Sequence, residues 1–182
     1  MTENAPQPNR EYCRIRIGLT ELLPEFLDVC SCADSGTFFL AAPFVDETLI
    51  AEVSARFTRQ QIRFHIVVPN EDVSAKLRNR LHPRSLAFVT IYLCRHLHAK
   101  VYLFETATRE LIGLIGSQNL TRAGTTTNIE VGVLLHARSG TAEWLMLADL
   151  RATLYERSRL HSRVAGNNLG GDQDVTNCTH NQ

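Results

Sequence analysis

The sequence predicts a single α/β domain in which helices layer against a mixed β-sheet. Three observations carry that prediction. Short apolar runs of strand length alternate with segments of helical periodicity from Thr37 onward, the pattern of a layered α/β domain. Strand candidates on either side of His98 follow one another too closely for crossover helices, so antiparallel pairs enter the sheet. A chain of 182 residues, 44% hydrophobic and 21% charged, suits one globular domain with a sizeable core.

Residues 1–10 read as a loose polar tail, and 11–163 as the folded domain. Ile15 to Cys30 carries apolar residues at helical spacing, with Pro24 as a break or kink. Thr37 to Val45 is a buried strand ending near Pro43, and Asp46 is a good N-cap for a helix reaching Phe57. Ile62 to Val68 is a second strand, stopped by Pro69-Asn70. A short basic helix, Glu71 to Leu81, closes at His82-Pro83. Leu86 to Leu93 and Leu97 to Phe104 are the third and fourth strands. Leu111 to Ile115 is a fifth, beyond a polar turn at Thr106 to Glu110, and Ile129 to Leu135 a sixth. Ala142 to Ser158 is the clearest helix, with Trp144, Leu147, Leu150 and Leu154 on one stripe. From Val164 periodicity is lost, so 164–182 reads as a disordered tail or linker.

Net charge is zero, which by itself selects no partner, but its distribution is uneven. Between Arg56 and Phe104 nine Lys/Arg stand against two acids. Such a stretch favours a polyanionic substrate, and equally fits solvated helix faces. The five cysteines are odd in number and scattered, so no disulfide framework is expected, and Cys30-x-Cys32 lacks the companions of a zinc site. Met1 to Arg10 has no apolar core of a leader peptide, and no apolar run approaches membrane-span length. A cytoplasmic setting is expected.

The chemistry concentrates between His98 and Glu130. Only two residues are lysines, Lys76 and Lys100, so a lysine two places after His98 is not background composition. On a strand, alternation would put His98, Lys100 and Tyr102 on one face, joined by His96 if the strand extends that far. An imidazole can act as nucleophile or proton donor, and an ammonium beside it can hold a phosphate oxygen. A solvated polar face would read the same way. Gly116 lets backbone approach a ligand, and Ser117 and Asn119 offer neutral donors at a strand's end, although Gly, Ser and Asn also make ordinary turns. Glu130, between Ile129 and Val131, should be exposed at the sheet's end or paired. Pairing with His98 would fix the imidazole as in a catalytic triad.

Together these residues resemble the phospholipase D superfamily, whose pattern is His-x-Lys-x4-Asp followed by Gly-Ser-x-Asn. The resemblance covers His98 to Leu135 by motif and residues 37–158 by layout. It implies an α/β/α sandwich, a mixed sheet with helices on both faces. It also implies His98 as nucleophile or acid, Lys100, Ser117 and Asn119 as phosphate ligands, and Glu130 as the partner of the histidine. Two departures stand out. Glu105 occupies the aspartate position in a supporting role, and the gap from Glu105 to Gly116 is longer than the common pattern, as a longer hairpin turn would make it. Catalysis in the superfamily uses two motifs, and this chain carries one, which implies a homodimer sharing its active site. No metal or cofactor is implied. Single-motif members are most often nucleases, so the expected substrate is DNA rather than RNA. Arg95 and Arg122, with Lys76 or Arg78, are candidates for neighbouring phosphates. Sequence specificity would come from a further domain or partner. A phospholipid or small-phosphodiester hydrolase is the second enzyme reading, and a silent nucleic-acid-binding domain the non-enzymatic one.

Overall fold

The computed structural model describes residues 13–19, 22–57 and 61–163 of the chain. The first element is a strand where a helix was expected. In β1, Cys13–Leu19, apolar Ile15, Ile17 and Leu19 alternate with Arg16 and Gly18, a period of two rather than 3.6. The expected helix over 15–30 is therefore only its second half, α1, Leu22–Cys30. Pro24 falls in its first turn, where a missing N–H costs nothing, and it causes no break.

Next come β2, Ser35–Ala41, and α2, Glu47–Arg56. Asp46 caps α2 as expected, its carboxylate accepting from the Thr48 and Leu49 N–H groups at 2.8 and 3.2 Å. After β3, Gln61–Val68, Asn70 caps α3, Glu71–Arg80. His82-Pro83 does more than end that helix. Pro83–Leu86 forms a one-turn helix, α4, and this delays the next strand, β4, to Val89–Leu93. β5, Val101–Thr106, and β6, Leu111–Gly116, make the expected hairpin. In its turn the Thr106 N–H donates to the Glu110 carbonyl, and Arg109 takes a positive φ of 65°. A short helix that the sequence had not signalled, α5 at Arg122–Thr126, precedes β7, Val131–Ala137. The long helix α6 spans Ala142–Glu156, and an unexpected strand, β8, follows at Arg159–Arg163. The expected tails, 1–10 and 164–182, lie outside the described residues.

All eight strands join one sheet in the order β1-β7-β6-β5-β2-β3-β4-β8. β2, β3 and β4 are parallel and the remaining pairings antiparallel, so the sheet is mixed as expected. Strand alternation divides the core in two. Phe38, Leu40, Ile66 and Phe104 pack beneath α1, α2 and α3, while Phe39, Ala41, Val67 and Leu103 pack beneath α6. Phe38 anchors the first layer, its ring centroid 4.5–6.0 Å from those of Phe26, Phe57, Phe64 and Phe104.

Among the described residues, one helix covers the second face only in part. Arg16 of β1 points to the α1 side and pairs with Glu25 at 2.6 Å. Ile15 and Ile17 therefore point to the α6 side, where they stay 60% and 73% exposed. Val131 is 53% exposed beside them, across the register from Leu19.

Candidate active site

Strand register gathers the motif residues at one edge of the sheet. Ala41 at the end of β2 is paired with Val101 at the start of β5, Val101 with Ile115, and Gly116 with Gly132. The residues just before β5, just after β6 and just before β7 thus emerge side by side, on strands about 4.8 Å apart. These are His98 and Lys100, Ser117 and Asn119, and Glu130.

His98 and Lys100 do not lie on a strand. β2 bends away after Ala41, so β5 has no partner on that side before Val101, and residues 94–100 form an irregular connection. The Leu97 N–H closes a turn onto the Cys94 carbonyl, with His96 at φ 62°. His98 is exposed, and the ammonium of half-buried Lys100 reaches the His98 carbonyl at 3.4 Å. Tyr102, which alternation had put on one face with them, is the one of the three that lies within β5. It is fully buried, and its hydroxyl donates to the Gln118 carbonyl at 2.7 Å. Burial, and then the charge of Glu130, push that hydroxyl well above the ordinary tyrosine value.

The Gly-Ser-x-Asn segment is pinned to β7. The Ser117 N–H donates to the Val131 carbonyl at 2.8 Å, and the Ser117 hydroxyl accepts from the Val131 N–H at 3.0 Å. Gly116 is required by close approach, because a Cβ there would stand 2.4 Å from the Val131 carbonyl oxygen. Behind the segment Gln118 is 1% exposed, and both its side-chain polar atoms are buried without a partner among the described residues.

Glu130 is 7% exposed, and its carboxylate is engaged on both oxygens. Oε2 accepts the Ser117 hydroxyl at 2.5 Å, and Oε1 accepts Asn128 Nδ2 at 3.1 Å. The expected partner was His98, and among the described residues the carboxylate is instead held by Ser117 and Asn128. This also changes the part assigned to Ser117, whose single proton is committed to Glu130. Lys100 and the Asn119 amide remain as donors toward a phosphate. Asn128 was missed in the sequence, because it lies in the bend that ends α5, where its N–H donates to the Ala123 carbonyl at 2.9 Å, and no periodicity marks it.

Comparison with known proteins then decides the family. The family model for a cardiolipin synthase, phospholipase D-like domain matches residues 33–146, more than half of the chain. The chain belongs to the phospholipase D-like domain family. Members of this superfamily are phosphodiesterases or other hydrolases. Among solved structures it is similar to Nuc from Salmonella typhimurium, a phospholipase D family member, with a TM-score of 0.59 and 14% identity over 82% of this chain and 98% of that one. It is also similar to NucT from Helicobacter pylori, with a TM-score of 0.53 and 11% identity over 82% and 99% of the two chains. Phosphatidylserine synthase from Haemophilus influenzae gives a TM-score of 0.53 at 14% identity, over 84% of this chain and 40% of that one. No curated protein matches the sequence.

The other sequence candidates of this phospholipase D-like domain divide between its two ends. Arg95 and His96 are exposed at the site edge, and Arg95 lines a cleft of about 820 Å³ with Asn70 and Arg157. Arg122, at the start of α5, forms an ion pair with Glu52 of α2. Lys76 and Arg80 line a separate cleft with Glu47, and Arg78 Nε is buried. The basic stretch is thus no single patch, since Arg56 pairs with Asp28 and Arg63 lines a cleft at the hairpin end. Glu105 sits at the far end of β5, where Arg151 of α6 binds it at 2.6 Å. It ties sheet to helix there, at the end of β5 away from His98 and Lys100. His65 is likewise away from the edge, under α6 against the Tyr155 hydroxyl.

Proposed function

We propose that this chain is a metal-independent phosphodiesterase acting on DNA, through a phosphohistidine intermediate in an active site shared by two copies. The observation that carries the reading is the convergence of His98, Lys100, Ser117, Asn119 and Glu130 on the ends of three adjacent strands. The imidazole of His98 attacks phosphorus while Lys100 and Asn119 hold the non-bridging oxygens. The bond to the leaving oxygen breaks, and that oxygen takes a proton from the imidazolium of the partner's His98. Water, giving its proton back to that imidazole, then attacks phosphorus and releases His98. Glu130 positions the loop that carries Asn119 by binding Ser117 and Asn128.

Two features support a second copy. The chain contains one His-x-Lys motif, while this mechanism consumes two imidazoles. The uncovered sheet face with Ile15, Ile17 and Val131 abuts Glu130, and Ile129 beside it is 84% exposed. An apolar face of this kind, adjoining the site, suits burial against its own two-fold mate. DNA is the substrate of choice because the chain carries a single His-x-Lys motif, and single-motif members of the superfamily are most often nucleases. The match to the cardiolipin synthase, phospholipase D-like domain family and the likeness to phosphatidylserine synthase make lipid-headgroup chemistry the second reading. Incubation with single-stranded and plasmid DNA in EDTA tests the proposal. Cleavage by the native protein and none by His98→Ala is expected. Equal cleavage by both proteins would refute it, and headgroup release from vesicles without DNA cleavage would favour the second reading.

A further inference from the structure

We propose that Phe44 is a nucleobase-stacking residue beside the scissile phosphate, which makes unpaired, single-stranded nucleic acid the preferred substrate. This rests on the nuclease reading above and specifies its substrate class. Of the eight phenylalanines, six are buried at 3% exposure or less and only Phe44 and Phe88 are exposed, at 66% and 49%. Phe88 precedes β4 and lies at the end of the sheet remote from the motif. Phe44 lies at the motif end. It stands three residues after Ala41, whose partner Val101 follows Lys100, and one before Val45, which bridges to Leu120 next to Asn119. The ring is therefore carried on the segment that joins the His-x-Lys connection to the Gly-Ser-x-Asn loop.

That segment is held rather than loose. Pro43 fixes the backbone on one side of Phe44. On the other, the Asp46 N–H donates to the Leu120 carbonyl at 2.7 Å while its carboxylate caps α2. An exposed aromatic ring on a fixed backbone offers a flat apolar surface at little entropic cost. A single exposed phenylalanine is unremarkable elsewhere on a surface, but here it stands between a strand end paired next to Lys100 and a residue bridged next to Asn119. Every base has a π-face, so stacking needs no particular sequence. In a duplex, neighbouring bases cover both faces, so the ring selects bases that are already unpaired.

The test uses the full chain carrying His98→Ala, which binds without turnover. Its affinity is measured by fluorescence anisotropy for a short oligothymidylate and an abasic strand of equal length, at one salt concentration. The oligothymidylate should bind more tightly. Adding Phe44→Ala or Phe44→Leu should weaken it by roughly 5- to 100-fold and remove the difference between the two strands, whereas Phe44→Trp should preserve it. Equal affinity for the two strands, or equal weakening of both by Phe44→Ala, would overturn the stacking role while leaving the nuclease reading intact. Binding of neither strand would defeat the nuclease reading, and the stacking role with it.

Discussion

Tyr102 shows how a single side chain joins the two halves of the motif. It follows Lys100 by two residues, and its hydroxyl holds the backbone carbonyl of Gln118, inside the Gly-Ser-x-Asn segment. Tyr102→Phe would leave that buried carbonyl unpaired, a cost of about 1–3 kcal/mol. The same hydroxyl sets an alkaline limit. Its folded pKa is raised by burial and by Glu130, whereas an unfolded tyrosine ionises near pH 10. Below about pH 10 both states are protonated and the contribution is complete. As pH rises further, the unfolded chain gains by ionising before the folded one can, so stability falls. Tyr155, raised chiefly by burial, acts in the same direction. Urea unfolding should therefore show a lower midpoint for Tyr102→Phe at neutral pH and a smaller alkaline loss than in the native protein. An unchanged midpoint would show that the hydrogen bond contributes nothing.

At the scale of elements, β1 is the informative strand. Its Arg16 is turned toward α1, while Ile15 and Ile17 face the other side and stay exposed, the reverse of what a solvated sheet face would require. Ile17→Arg should leave the sheet intact, because β1 and β7 are joined by backbone hydrogen bonds. It should nonetheless convert a dimer to a monomer in light scattering and lower the cleavage rate at least tenfold. A dimer that persists would place the contact elsewhere. β1 is also where the sequence misled most. Leu19, Leu22, Leu23, Phe26 and Leu27 keep helical spacing across the end of β1 and the start of α1, so the two elements read as one helix. The short α5 and β8 had no apolar period to betray them, since Arg122–Thr126 and Arg159–Arg163 are mostly polar or small.

For the whole molecule, the layers were legible because long apolar strands and the stripe of α6 each report a buried face locally. The motif residues were legible for a different reason, their fixed spacing, and register brings them to one edge of the sheet. What could not be read was partnership. That Glu130 holds Ser117 and Asn128 depends on where β6 ends relative to β7, and that Phe44 borders the motif depends on the bridge from Val45 to Leu120. Such facts arise from pairings between distant segments, which spacing along the chain does not encode. The central claim, one motif per chain and two per active site, is also a claim about the assembled molecule. Mixed dimers test it most directly. Native and His98→Ala chains are refolded together in varying ratio, and DNA cleavage is measured in EDTA. A shared site predicts that the rate falls as the square of the native fraction, because only dimers with both histidines turn over. A linear fall would show that each chain works alone and would contradict the account.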